Sequence, residues 1–295
     1  MAVRLAAIGF QHQHIFHMLD HLLEEPGVEL VALAEHDQGL RELAAGRYRV
    51  PAYADYQALL ARERPGAAVL APVNRDRPRV IADCAQAGAH VYVDKPMATS
   101  LEGVELIATA LGSYGTIVYM AAGGGYGQSW GWRRLVDSGA LGQLVQFVNL
   151  APHRLELRPE AGWTRPAWHF LRETNGGAIV DLAIHGINTW RYLSGQPVVE
   201  VTARHGNRRF PEHRSFEDHA SLLLTMADGS TAFLGPSWLT PDAEPSHGRG
   251  ATYLIGTEGQ LEVTSTGVAH GLTGSHDAYE VTLTTASRPA HRPEL

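Results

Sequence analysis

The stretch Val3–Leu23, VRLAAIGFQHQHIFHMLDHLL, reads as a short apolar strand that ends in Gly9 and leads into a helix. Ile15, Met18, Leu19, Leu22 and Leu23 fall at helical spacing. A strand, a glycine turn and a helix N-terminus are how a nucleotide-binding βα unit begins. In such a turn three glycines permit the tight bend, the approach of a pyrophosphate and the close strand–helix contact. Here Gly9 keeps the first role, while Gln11 and His14 stand in the second and third positions. The Gln11 side chain crowds the phosphate approach, yet the helix still offers N–H groups and a positive dipole end to an anion.

Further along, VELVALAEHD (28–37), AAVLAPV (67–73) and HVYVDKP (90–96) are strand-like, with helical segments at 39–48 and RPRVIADCAQAGA (77–89). Apolar strands alternating with helices predict a parallel sheet with right-handed crossovers, whose ligands sit at the carboxyl ends of the strands. Gly9, Glu35, Pro72 and Lys95 lie at those ends and should line one crevice. Glu35, 26 positions after Gly9, is placed to accept hydrogen bonds from a ribose diol, which favours NAD over NADP. The expected cofactor-binding set is Gly9, Phe10, Gln11, His12, His14, Glu35, Pro72, Asn74, Asp94, Lys95 and Pro96.

The second half reads differently. A helix near 130–138 precedes a long strand, QLVQFVNLAPHRLEL (143–157). GGAIVDLAIHGINTWRYLSG (176–195) reads as one helix, and alternating segments follow, with ADGS (227–230) and TEGQ (257–260) as hairpin turns. This predicts a mostly antiparallel sheet. The boundary is expected at the glycine-rich AAGGGYGQ (121–128), giving a dinucleotide-binding domain over 1–121 and a substrate-binding and oligomerisation domain over 122–295.

Composition narrows the classes of function. The 295 residues are 44% hydrophobic and 19% charged, an ordinary globular balance. A formal charge of −7 argues against nucleic acid or an anionic membrane as partner. One cysteine, Cys84, excludes an internal disulfide framework and fits a reducing cytoplasm. Met1–Arg4 leads directly into a strand, which reads as a chain without a secretory leader, and no apolar run reaches the roughly 20 residues that span a bilayer.

Three further features carry chemistry. Lys95 precedes a proline at a strand end, which restricts its backbone to an extended form and suits it to donating to a substrate hydroxyl. A surface lysine would look the same in sequence. On a continuous helix Asp181, His185, Asn188 and Tyr192 form one polar stripe. A histidine with a carboxylate one turn away suits general acid–base work, although a solvated helix face gives the same pattern. In the loop RPEAGWTRPAWHF (158–170), Trp163, Trp168 and His169 are candidates for stacking on or bonding to a sugar, against core packing of the tryptophans. His12, His14 and His17 offer a weaker metal reading, with Asp181 or His185 as further ligands; a solvated histidine stripe is the commoner case, and no metal is expected.

Together these features resemble the GFO/IDH/MocA family, the glucose–fructose oxidoreductase and inositol dehydrogenase group. AGAHVYVDKPMATSLEG (87–103) is similar to its "aGkHVlvEKPla.s..ea", with aspartate for glutamate. PGVELVALAEHDQGLRELAAGRYRVPAYADYQALLA (26–61) resembles its second βα unit, and 176–195 resembles "GGGxLxDxGxHxxDxxxxLxG". The likeness covers roughly residues 3–265 and implies an N-terminal Rossmann-type parallel sheet. It also implies a C-terminal α+β domain whose open, mostly antiparallel sheet packs on a partner subunit in a homodimer or homotetramer. The implied activity is NAD(P)-dependent oxidation or reduction at a secondary alcohol of a sugar, inositol or related polyol. Lys95, His185 and Asp181 are then catalytic, and Lys95, Trp168, His169, Asp181 and His185 line the substrate. A cis Lys95–Pro96 bond is also implied. His17 matches the histidine of the family's "GxGxxGxxH", whereas Ala71 and Asp76 replace the threonine and histidine of "TPxxxH" and Asn188 replaces an aspartate. The crowded turn leaves an alternative, a non-redox descendant acting as a metal-assisted sugar lyase or hydrolase or as a sugar-sensing binding protein.

Overall fold

Four of the first six strands are short apolar runs largely covered on both faces, as a parallel sheet requires. They are β1 (Val3–Phe10), β2 (Val28–Ala34), β4 (Ala67–Ala71) and β5 (His90–Asp94), with a two-residue β3 (Ala52–Tyr53) at one edge and the more exposed β6 (Val118–Ala121) at the other. The computed structural model describes residues 2–121, 126–155, 165–241, 243–244, 248–264, 268–273 and 278–282. The helices α1 (His14–Leu23), α2 (Gln38–Tyr48), α3 (Tyr56–Glu63), α4 (Arg77–Gln86) and α5 (Leu101–Tyr114) connect these strands. Asp37, Asp55 and Ser100 cap α2, α3 and α5 by accepting from backbone N–H groups in the first turn. The strand order is β3-β2-β1-β4-β5-β6, all parallel, so the order reverses between β1 and β4. Ligands of such sheets bind at that reversal. One buried cluster, with Ile8, Leu70 and Val93, fills one side of the sheet, and another, with Leu5, Ile15 and Leu33, fills the other.

The chain divides into two compact units, and the first is discontinuous: Met1–Gly123, Leu157–Asp181 and Glu212–Phe216. The second comprises Gly124–Glu156, Leu182–Pro211 and Glu217–Leu295. It opens with α6 (Tyr126–Asp137) and β7 (Leu144–Pro152). After α7 (Arg172–Asn175), which belongs to the first unit, the second resumes with α8 (Ile184–Ser194). Its strands continue as β8 (Val198–Gly206), β9 (His219–Met226), β10 (Thr231–Ser237), β11 (Ala251–Gly256), β12 (Gly259–Thr264), β13 (Val268–Thr273) and β14 (Ala278–Thr282). The eight strands form one sheet, β14-β13-β12-β11-β7-β10-β9-β8, in which only β7 and β10 run parallel. Alternation buries Leu222, Leu224, Ala232, Leu234 and Phe147 on one face. Trp190 of α8 stacks on Phe147 at 5.2 Å between ring centroids. A Cβ on Gly186 would stand 2.9 Å from Leu234, so the missing side chain lets α8 lie close against the sheet.

Two details differ from the sequence reading. Residues 176–195 are not one regular helix, because a π turn over Ile179–Ala183 precedes α8. β7 ends at Pro152, short of the expected 157. Among the described residues no helix is long and apolar enough to cross a membrane.

Trp190 is fully buried. Trp190→Ala should destabilise the protein by about 3–5 kcal/mol, read as a lower midpoint in denaturant unfolding.

Candidate active site

Gly9 has φ +79, and a Cβ there would lie 2.6 Å from the backbone of Pro72. The ends of β1 and β4 therefore touch at the sheet reversal, and glycine is required for that approach. α1 begins at His14 without a side-chain cap, which leaves its positive end to an anion. A cavity of about 420 Å³ adjoins this turn, lined by Gly9, Gln11, Glu35, His36, Pro72 and Val73 among others. Its volume is that of a small-molecule site. The Gly9 cradle, the uncapped helix start and this cavity fit the adenosine and pyrophosphate of a dinucleotide.

Glu35 stands at the end of β2, but its carboxylate is occupied by the chain itself. Oε2 accepts from the Phe10 N–H at 2.6 Å. Oε1 accepts from the Gln11 side-chain amide and from the Asp37 N–H, both at 2.8 Å, and lies 2.9 Å from His36 Nδ1. The Glu35 side chain has no solvent exposure.

Beside the turn, Asp94 closes β5. The buried Arg77 guanidinium contacts Asp94 Oδ2 at 3.2 Å and donates to the Asp94 carbonyl at 2.8 Å, to Pro96 O at 2.9 Å and to Pro72 O at 3.0 Å. His14 Nδ1 lies 3.1 Å from Asp94 Oδ1, and His12 Nδ1 lies 3.7 Å from Oδ2. Burial alone would raise the Asp94 carboxyl, but Arg77 and the His14 hydrogen bond hold it well below the usual carboxylate range. His12 Nε2 lies 3.0 Å from Arg165 Nη1, and His12 Nδ1 accepts from the His14 N–H at 3.3 Å. Three possible metal-ligating atoms, from His12, His14 and Asp94, thus fall within 4.8 Å of one another. Arg77 and Arg165 already stand against two of these groups, and their charge opposes a further cation. His17 is exposed on α1.

Lys95 follows Asp94 through a cis bond to Pro96, as the resemblance implies. Its side chain is 10% exposed, and Nζ donates to Asp181 Oδ1 at 2.6 Å and to the Asp181 carbonyl at 2.8 Å. An ammonium carries three donors, so the third has no partner among the described residues. Burial raises the Asp181 carboxyl, but Lys95, with Arg165, outweighs burial and holds it well below the usual range. Asn175 fixes the other oxygen: Nδ2 donates to Asp181 Oδ2 at 3.1 Å and stands 2.9 Å from His169 Nδ1. Asn175 Oδ1 accepts from the Gly177 N–H, which settles the orientation of the amide. His169 therefore carries its proton on Nε2, 3.7 Å from Asp181 Oδ2. Burial pushes its pKa down to about 3, so it is neutral. Asn74 Nδ2 donates to the Asn175 carbonyl at 3.0 Å and ties this group to the end of β4.

Trp168 is half-buried edge-on to His169, with ring centroids 5.8 Å apart. His185 is half-buried on α8 in the second unit. Trp163 lies outside the described residues. The structure thus gathers Lys95, Asp181 and His169 in one network, and Gly9, Gln11, Glu35 and Pro72 around one cavity. Sequence reasoning missed Arg77, Arg165 and Asn175. Arg77 reads as a solvated basic residue at a helix start, and nothing local marks it as buried. Asn175, directly before Gly176–Gly177, was the more findable, because an amide beside a glycine pair is a turn-forming group with donors to spare.

The description "Oxidoreductase family, NAD-binding Rossmann fold" matches residues 3–122, and "GFO/IDH/MocA C-terminal domain" matches 132–262. The chain belongs to the GFO/IDH/MocA family. Among its relatives, scyllo-inositol 2-dehydrogenase (NAD(+)) of Bacillus subtilis is 23% identical over 271 residues, covering 88% of this chain and 73% of that protein. Inositol 2-dehydrogenase 2 of Paenarthrobacter aurescens is 27% identical over 241 residues, covering 79% and 68%. In fold, the chain matches an inositol dehydrogenase homolog complexed with NAD+ from Azotobacter vinelandii with a TM-score of 0.84 at 18% identity, covering 96% and 76%. This member of the family is an oxidoreductase with an NAD-binding Rossmann domain.

The neutral burial of His12 and His169 has a pH signature. Both are held below the ordinary 6.5, so below that pH the unfolded chain binds more protons than the folded one. Stability should be full above pH 6.5 and fall as the pH drops toward 3. Each group contributes a slope of about 1.4 kcal/mol per pH unit in that window. His169→Gln should lessen the slope by about one proton, read from denaturant unfolding at a series of pH values.

Proposed function

We propose that this protein transfers hydride between a nicotinamide cofactor and a secondary alcohol of a sugar, inositol or related polyol. The observation that carries the reading is the buried Lys95 ammonium, pinned twice by Asp181 and left with one N–H to give. That donor suits an uncharged hydroxyl. A bound nicotinamide supplies the hydride acceptor or donor. Lys95 donates its remaining hydrogen bond to the reacting oxygen, and Asp181 keeps it aimed. In the oxidative direction His185, assigned from the family motif, accepts the hydroxyl proton as the C–H hydrogen leaves as hydride, and the product is a ketone. In the reductive direction it returns that proton. His169 and Trp168 contact the substrate's other hydroxyls and its ring face. NAD is preferred over NADP because Glu35 stands where a 2′-phosphate would meet a carboxylate. The buried thiol of Cys84 fits work in a reducing cytoplasm.

The same reading includes a homodimer or homotetramer. On the face of the second unit's sheet away from the Phe147 core, Leu223 and Phe233 pair across β9 and β10, and Phe233 is in register with Val148 of β7. Leu223 is 46% and Phe233 37% exposed, which makes an apolar strip suited to a second copy.

NADH should bind saturably in a fluorescence titration; no saturation up to millimolar cofactor overturns the reading. Lys95→Ala and His185→Ala should each lower kcat by about 10²–10⁴-fold on the true substrate, with NADH binding retained. Phe233→Glu should shift the protein toward monomer in light scattering, and an unchanged mass would refute that interface.

A further inference from the structure

The occupied state of Glu35 points to a role for Gln11 that goes beyond crowding. A carboxylate has about four lone-pair positions, two on each oxygen. Oε1 of Glu35 already faces three donors, from Gln11, Asp37 and His36, and Oε2 faces the Phe10 N–H. Oε2 keeps one open position, so a ribose diol that uses both oxygens needs Oε1 as well, and it can reach Oε1 only by replacing donors already there. The Asp37 N–H is backbone two residues away in the same turn and stays. The His36 side chain is 77% exposed, so its contact is made against water and costs little to give up. Gln11 is different. It comes from the facing β1–α1 turn, it is half-buried, and with Glu35 it lines the cavity beside Gly9.

We propose that the Gln11 side chain is a latch over the ribose subsite: its amide takes the place of the ribose diol on Glu35 and must swing away for a dinucleotide to seat. The exchange is donor for donor. A ribose O–H replaces the Gln11 N–H on Oε1, and no charge moves. The latch lowers cofactor affinity by the bond that has to be broken, and it keeps the Glu35 carboxylate satisfied when nothing is bound. It rests on the dinucleotide-binding reading above.

The test is calorimetric titration of ADP-ribose into the full-length protein and into Gln11→Ala and Gln11→Met. Both variants lose the donor, and methionine keeps the bulk. Each should bind ADP-ribose about tenfold more tightly than the unaltered chain, the scale of one hydrogen bond to a charged group. An ADP-ribose lacking both hydroxyls on the adenosine ribose should show no such gain. A gain in Gln11→Ala alone would mean that bulk and not the bond sets affinity, and would overturn the latch. So would unchanged or weaker binding in both variants, or an equal gain for the hydroxyl-free probe. If ADP-ribose and NADH bind none of the three proteins at millimolar concentration, the dinucleotide reading falls and the latch with it. Binding of NADH with no gain in the variants removes the latch alone.

Discussion

A fully buried arginine holds this site in place. Arg77 places four of its five donors on two strand ends, reaching Pro72 after β4 and both Asp94 and Pro96 at the end of β5. An isolated buried guanidinium would be prohibitively costly, and removing one partner of such a pair typically costs about 3–5 kcal/mol. The two loops are therefore fixed relative to each other by the charge they enclose. Both halves of the site depend on them: Pro72 abuts Gly9, and Asp94 immediately precedes Lys95. The clamp fixes the floor on which the phosphate turn and the lysine stand.

Around that clamp, buried charge is balanced pair by pair. Arg77 meets Asp94 and Lys95 meets Asp181, while His12 and His169 remain neutral because burial disfavours their charged forms. In a low-dielectric setting this arrangement keeps each ammonium or carboxylate in one orientation, since any rotation would leave a charge unpaired. Preorganisation of this kind is what hydride transfer needs from the protein, because the redox chemistry itself belongs to the cofactor.

The parallel sheet was legible because burial on both faces forces continuous apolar runs, and β1, β2, β4 and β5 all have them. The two-residue β3 and the helix α3 were not singled out, since so short an edge strand carries no periodicity. The second sheet showed itself through alternation and two hairpin turns, but its parallel β7–β10 pair is a long-range choice that no local pattern encodes. In the site, Lys95, Asp181 and Glu35 were found because strand ends and motif spacing point at them. What spacing could not convey was partnership. Spacing placed Asp181 with His185 along an ideal helix; the structure has a π turn there, and the Asp181 carboxylate is bonded to Lys95, 86 residues earlier. Glu35 was expected to face a ribose, and the structure shows it bonded to the turn it was meant to serve.

The separation between Lys95 and Asp181 matters for how the protein is made. At about 5–20 residues per second on the ribosome, the counter-ion of Lys95 is synthesised on the order of ten seconds after the lysine itself. All six strands of the first sheet are complete by then, yet the unit also takes in Leu157–Asp181 and Glu212–Phe216. The nascent sheet must wait with an ammonium that has to stay hydrated, and it can close over Lys95 only once the later segment has emerged. The first unit is thus finished by sequence that follows the start of the second, and neither is an independent product of translation.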